Sequence, residues 1–373
     1  MNDAFVLNIA EKFRIDGKAI GLNPIKTGHI NRTYIVNVEN ERGDVSRYVM
    51  QQINDNVFKK PIEVMENMKN VTDFLKNKII SAGGDPKRET LFLIDSEMDK
   101  PYYIDENGKY WRMYCYVDKA NSYHIVENPE IFENAGWAFG NFQYQLSDFP
   151  ADTLHETIKK FHDTTSRYEN LMEAVKNNYS GRLADVQPEL DFVKARQNIC
   201  SFITDGIRDG KFPLRVTHND TKLNNILMDE CTGKGLCVID LDTVMPGSLL
   251  YDFGDAIRFG ASSAAEDEQD LDKVFMRLDL FEAFANGFIS GTRGALNEDE
   301  LRALPMSAIV ITFEIGLRFL TDHIDGDKYF AIHREGHNLD RARTQFKLVA
   351  DMEKKLPEMN AVVEKIIKKL AEK

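Results

Sequence analysis

The chain has 373 residues, 43% hydrophobic and 29% charged, ordinary for a globular protein and long enough for two lobes. A formal net charge of −13 argues against a nucleic-acid partner, because binding a phosphate backbone depends on clustered Lys and Arg. No apolar stretch is expected to cross a bilayer, the start Met1-Asn2-Asp3-Ala4 lacks a basic signal, and four scattered cysteines suit a reducing compartment, so the expectation is cytoplasmic.

In chain order, the first third reads as a β-rich lobe with one inserted helix. Strands are predicted over 19–25, 33–38, 47–53, 90–94, 101–104 and 109–117. Asn107-Gly108 between the last two is a type I′ hairpin signal, in which both central residues take positive φ. Between the third and fourth strands, Ile62, Met65, Met68, Val71, Phe74 and Leu75 recur at helical spacing. The last strand gives way near Val117-Asp118, which divides the chain into lobes 1–117 and 118–373. The remainder is mostly helical, with periodic apolar residues over 131–146, 151–161, 190–208, 270–290, 298–320 and 340–370. Pro357 is expected to split the last of these.

One stretch interrupts the helical series. After the β-prone run 214–217 comes His218-Asn219-Asp220-Thr221-Lys222-Leu223-Asn224-Asn225, a His-x-Asp-x-x-x-x-Asn pattern. Two short apolar runs, 226–228 and 236–239, flank a turn-rich segment and read as a hairpin that ends in Asp240. Phosphoryl transfer from ATP needs a carboxylate to orient the attacking hydroxyl, and oxygen ligands that hold Mg²⁺ on the phosphates. Asp220 suits the first task, Asn225 and Asp240 the second, at the spacing of a kinase catalytic loop.

Other residues are weighed against this frame. Lys222 resembles the lysine that kinases acting on serine or threonine place near the transferred group; its bland alternative is an exposed loop lysine. Asp252-Phe253-Gly254 spells a kinase metal-binding tripeptide but lies too far beyond Asp220, so Asp252 and Asp255 read as supports of the loop. Asp242 would share a side with Asp240 if the segment were extended, in a supporting role. Gln51 stands where the third strand of a kinase carries its phosphate-binding lysine, and Gln51 or Gln52 can offer a neutral hydrogen bond instead. Gly28, before Asn31 and Thr33, suits a turn whose backbone N–H groups cover phosphates.

Taken together, these stretches resemble the aminoglycoside phosphotransferase and choline kinase branch of the kinase-like superfamily. Within it they look much like the N-acetylhexosamine 1-kinases. The likeness runs from Gly28-His29-Ile30-Asn31 and Gln51-Gln52 through 217–228, Ile239-Asp240-Leu241-Asp242-Thr243 and Asp252-Phe253-Gly254-Asp255. It continues through Arg318-Phe319-Leu320 and His337-Asn338-Leu339 to Arg341 and Arg343-Thr344-Gln345, and so covers nearly the whole chain.

The resemblance implies a two-lobed, protein-kinase-like α+β fold, with a β-rich N-lobe and a mainly helical C-lobe. It implies transfer of the ATP γ-phosphoryl group, with Mg²⁺, to the anomeric hydroxyl of N-acetylglucosamine or N-acetylgalactosamine. Gly28, His29, Asn31, Thr33, Gln51 and Tyr116 fall to the nucleotide, Asp220 and Lys222 to catalysis, and Asp220, Arg318 and Tyr329 to the sugar. Arg318 has a structural alternative, a pair with Glu314 one helical turn earlier. The rival readings are a kinase of another small alcohol, such as an aminoglycoside or choline, and an inactive nucleotide-binding regulator.

Overall fold

The computed structural model of the protein describes residues 2–25 and 30–372. The architecture is α+β, with a sheet in the N-terminal part and helices in the C-terminal part. Two compact units divide the chain. The first comprises Met1–Asn121, Asp148–Ile158 and Leu227–Pro246; the second comprises Ser122–Ser147, Lys159–Ile226 and Gly247–Lys373.

The first unit is built on β1 (Lys18–Ile25), β2 (Arg32–Glu39), β3 (Val45–Gln52), β4 (Leu93–Ile94), β5 (Tyr103–Ile104) and β6 (Tyr110–Cys115). Their order is β1-β2-β3-β6-β4, with β5 on β6, and every pairing is antiparallel. Alternation puts Val36, Val38, Met50, Trp111 and Met113 on one face, where they form a core. Where one helix was expected, the described residues of the unit form three: α1 (Asp3–Ala10), α2 (Pro61–Ser81) and the single turn α3 (Pro86–Glu89). The unforeseen α1 is capped by Asn2 and buries Val6, Ile9 and Ala10 in the same core. Pro61 opens α2, where its missing N–H costs nothing, and Val64, Met65, Met68, Val71 and Leu75 form the buried stripe.

The hairpin at Asn107-Gly108 forms, but not as a type I′ turn. Only Gly108 takes positive φ, at 71°. The Asp105 carboxylate accepts from the N–H groups of Asn107 (2.8 Å) and Lys109 (2.9 Å), which fixes a wider loop.

The second unit is helical. Its helices are α4 (Pro129–Gln145), α5 (Thr164–Asn177), α6 (Gln187–Lys194), α7 (Phe202–Arg208), α8 (Leu249–Gly260), α9 (Leu278–Gly291), α10 (Glu298–Asp325) and α11 (His337–Ala371). α4 and α9 approach backbone to backbone: a Cβ on Gly287 would stand 1.9 Å from the Glu133 carbonyl, and one on Gly136 2.4 Å from that of Phe284.

Several helical expectations are corrected here. Residues 151–161 give only a 3-10 turn, Ala151–Thr153; 190–208 breaks into α6, a turn and α7; and α5 and α8 were not foreseen. α11 runs unbroken through Pro357. That residue is exposed, and the hydrogen bond its missing N–H forfeits is outweighed by Met352, Met359, Val363 and Ile366, buried on both sides of it along one face. Contrary to expectation, α10 is long and apolar enough to cross a bilayer, but 89% of its apolar window is buried, as in a core helix.

Candidate active site

In the second unit, the loop expected to be catalytic follows the short strand Arg215–Thr217 and rests on α8. The Asp252 carboxylate accepts from the backbone N–H groups of His218 (3.0 Å) and Asn219 (2.8 Å) and from Gln143 Nε2 (2.8 Å). One turn along, Asp255 accepts from the Thr221 N–H at 3.1 Å and is ion-paired with Arg258 at 2.9 Å. Burial pushes the Asp252 carboxyl above the usual range, against the pull of His218. Burial acts the same way on Asp255, but Arg258 and Lys222 outweigh it and hold that carboxyl low. The Asp252 tripeptide is therefore the platform of the loop. His218 is fully buried against Phe139 and Phe142, and its Nδ1 accepts from the Asp220 N–H at 3.2 Å, so the ring holds the loop. Asn219 takes φ of 66°, a left-handed conformation that Asn tolerates better than most residues.

This scaffold orients the Asp220 carboxylate from both sides. Its Oδ1 is ion-paired with Lys222 Nζ at 2.6 Å, and its Oδ2 accepts from Asn225 Nδ2 at 3.1 Å. Burial pulls the Lys222 ammonium down, but Asp220 and Asp255 more than offset this and hold its pKa above the ordinary lysine value. Lys222 is thus tied to Asp220, unlike a free loop lysine. Asn225 also donates to the Asp220 carbonyl at 2.8 Å. With its amide nitrogen so committed, the oxygen end of Asn225 is the one left for a hard cation, and an amide oxygen fits Mg²⁺.

Arg318 and Tyr329 belong to the same unit. The Arg318 guanidinium lies 5.6, 5.9 and 5.5 Å from the ring centroids of Phe161, Tyr329 and Phe330. The Glu314 pair does not form. Glu314 accepts from Thr164 Oγ1 (2.8 Å) and meets His162 Nδ1 at 2.9 Å; it feels the Arg318 charge through space, but no ion pair to Arg318 forms among the described residues. A second guanidinium stands close by: Arg167 Nη2 donates to the Phe161 carbonyl at 2.7 Å, and its buried Nε makes no hydrogen bond among the described residues. Burial, then the like charge of Arg318, pulls the pKa of Arg167 below its ordinary value. Tyr329 is 71% exposed, yet its backbone is pinned, because Asp322 accepts from the N–H groups of Lys328 (2.9 Å), Tyr329 (2.8 Å) and Phe330 (2.9 Å). His162 Nε2 lies 3.4 Å from the Asn219 carbonyl, so one histidine ties the arginine cluster to the catalytic loop.

In the first unit, Gly28 and His29 lie outside the described residues. Asp240 sits at φ 60°, ψ 56°, a left-handed conformation that costs an aspartate on the order of 1–3 kcal/mol. The segment after it is a 3-10 turn, Leu241–Thr243, so the extended geometry considered for Asp242 is not observed. Asp242 is instead ion-paired with Arg112 and accepts from Asn31 Nδ2 at 2.6 Å. Both partners are buried, at 4% and 1% side-chain exposure, so removing one would strand a charge at about 3–5 kcal/mol. Gln51 faces this pair: its Oε1 accepts from Arg112 Nε (2.8 Å) and Nη2 (2.6 Å), and its Nε2 donates to Thr33 Oγ1 at 3.0 Å. Asn31 Oδ1 accepts from the Asn54 N–H at 3.0 Å. The polar ends of Asn31 and Gln51 are therefore held inside the unit, and the Tyr116 ring lies under Arg47 at 4.2 Å.

An aspartate held on both sides, a partner asparagine and a buried aspartate under the loop form one arrangement. The sequence profile of the phosphotransferase enzyme family, APH, matches residues 21–284, most of the chain. The chain belongs to this family. Among solved structures, this phosphotransferase is similar to a microcompartment-associated aminopropanol kinase, at 15% identity over 96% of this chain and 98% of that one, TM-score 0.63. It is similar to an aminoglycoside phosphotransferase from Alicyclobacillus acidocaldarius, at 13% identity over 96% of each chain, TM-score 0.59. It is also similar to the amicoumacin kinase hAmiN, solved with AMP-PNP and Ca²⁺, at 12% identity over 98% and 94%, TM-score 0.54. At these identities the likeness establishes the fold. Sequence reasoning missed Arg112, His162 and Arg167 in this phosphotransferase; a lone Arg inside the apolar run Trp111-Arg112-Met113 was the one available signal.

Proposed function

We propose that the protein is an ATP- and Mg²⁺-dependent kinase that phosphorylates the anomeric hydroxyl of N-acetylhexosamines to give the sugar 1-phosphate, in the cytoplasm. The observation that carries the choice of acceptor is the arginine cluster. Arg318 and Arg167 converge on Phe161 with no ion pair among the described residues, flanked by the Tyr329 and Phe330 rings, while Glu314, committed to His162 and Thr164, acts on both only through space. Guanidinium donors suit hydroxyl and acetamido oxygens, and aromatic rings suit the apolar face of a pyranose. The same pair of cations repels an ammonium-bearing acceptor.

In this reading Asp220 holds the anomeric hydroxyl in line with the γ-phosphorus and takes its proton, while Lys222 faces the charge that develops on the transferred group. Asn225 of the second unit and Asp240 of the first are each assigned as a ligand for Mg²⁺, which would supply neutralisation of the phosphate oxygens. The anomeric hydroxyl is more acidic than an ordinary alcohol, so Asp220 need not be a strong base. The AMP-PNP and Ca²⁺ held by one fold relative support a nucleotide and a divalent ion. The second reading, a kinase of an amino alcohol or aminoglycoside, is favoured by the substrates named for two fold relatives and by the net charge of −13. An inactive regulator is disfavoured by the intact Asp220, Asn225 and Asp240.

ATP consumption against a panel of N-acetylhexosamines, plain hexoses, choline, aminopropanol and aminoglycosides separates the three. The expected result is turnover with N-acetylhexosamines alone or best; turnover confined to the ammonium-bearing acceptors rejects the sugar, and none at all favours the regulator. Arg318→Ala should raise the KM of the acceptor by about tenfold or more and leave that of ATP within about twofold, as the loss of a charged hydrogen-bond donor requires.

A further inference from the structure

Kinase-type phosphoryl transfer uses a lysine on the third strand, paired with a glutamate of the next helix. Neither half is present here. Position 51 is glutamine, Glu63 is ion-paired with Lys60 at 2.8 Å, and Glu66 meets His155 at 2.8 Å. The buried cation comes from β6 instead, where Arg112 stands opposite Gln51 in the sheet register. What α2 offers Arg112 is the Met68 sulfur at 3.9 Å, and its carboxylate partner is Asp242.

We propose that the Arg112–Asp242 ion pair positions Asp240 for metal binding, with Arg112 a positioning residue that acts through Asp242. The inference rests on the Mg²⁺-ATP reading given above. Its basis is the backbone of the turn. Asp240 holds a left-handed conformation, which persists only where the surroundings over-determine it. Two pins follow at once: Asp242 is gripped by Arg112 and Asn31, and the Val244 carbonyl accepts from Asn67 Nδ2 at 2.9 Å. Gln51 fixes the Arg112 fork in turn.

The test is calorimetric ADP binding at varied Mg²⁺, which needs no turnover. Groups that orient a metal ligand are worth about 10–100-fold in metal affinity, so Arg112→Met should raise the half-saturating Mg²⁺ about tenfold. ADP affinity without metal should stay within about twofold, because the pair acts on the metal ligand. Asp242→Asn should do the same, and the double variant should be no worse than either single one. Should Arg112→Met fail to fold, Arg112→Lys decides: it keeps the charge, loses the fork, and should still shift the Mg²⁺ midpoint several-fold. An unchanged midpoint in a folded variant overturns the proposal. So does a tenfold loss of metal-free ADP affinity, which would make Arg112 a direct phosphate contact, and so does additivity of the two changes. If the wild-type protein binds no Mg²⁺-ADP, it is the kinase reading that fails.

Discussion

Asp220→Asn is expected to lower kcat by about a hundredfold or more while leaving ATP binding intact, since general-base positioning of a nucleophile contributes on that order. The structure explains why an amide cannot stand in. Asp220 Oδ1 is ion-paired with Lys222 and Oδ2 accepts from Asn225, so a side-chain NH₂ would face a cation or another donor and rotate the group. The proton of the attacking hydroxyl would also lose its acceptor. Steady-state kinetics with ADP binding in parallel checks this. Near-normal turnover in a folded variant would remove Asp220 from the mechanism.

Asp240→Ala should abolish activity or raise the Mg²⁺ requirement about tenfold or more, because Mg²⁺ at such sites has only one or two carboxylates beside the phosphate oxygens. The contrast with Asp252→Asn is informative. Asp252 is buried under the loop, accepting from His218, Asn219 and Gln143, so its loss should lower the thermal midpoint and kcat without moving the Mg²⁺ midpoint. Magnesium titrations of both variants decide the assignment. An altered Mg²⁺ dependence in the Asp252 variant alone would show that the wrong aspartate has been taken for the ligand.

Much of this was legible in the sequence because it is local. The strands of the first unit alternate, α2 repeats its apolar residues at helical spacing, and the catalytic loop is a contiguous motif. What escaped notice is long-range. α1 is short, and its apolar face, Val6, Ile9 and Ala10, is buried only in the core that it shares with the sheet. α8 reads as a glycine-interrupted metal motif, and its helicity follows from burying Asp252 and Asp255 under the loop. Arg112 and Asp242 are 130 positions apart, so neither the lone Arg in its apolar run nor the aspartate expected to support Asp240 discloses their pairing. The continuity of α11 through Pro357 depends on tertiary burial outweighing a local rule. His162 and Arg167 carry no motif at all; only the fold brings them to Glu314, Asn219 and Phe161.

The most direct test of the sugar 1-kinase account is the phosphorus NMR spectrum of the product formed from ATP and N-acetylglucosamine or N-acetylgalactosamine, with the methyl glycoside run alongside. If Arg318 and Tyr329 hold the ring so that its anomeric hydroxyl meets Asp220, the product phosphorus couples to a single ring proton, and the methyl glycoside, blocked at that oxygen, is not phosphorylated. Phosphorylation of the methyl glycoside, or a phosphorus coupled to the two protons of C6, would contradict it.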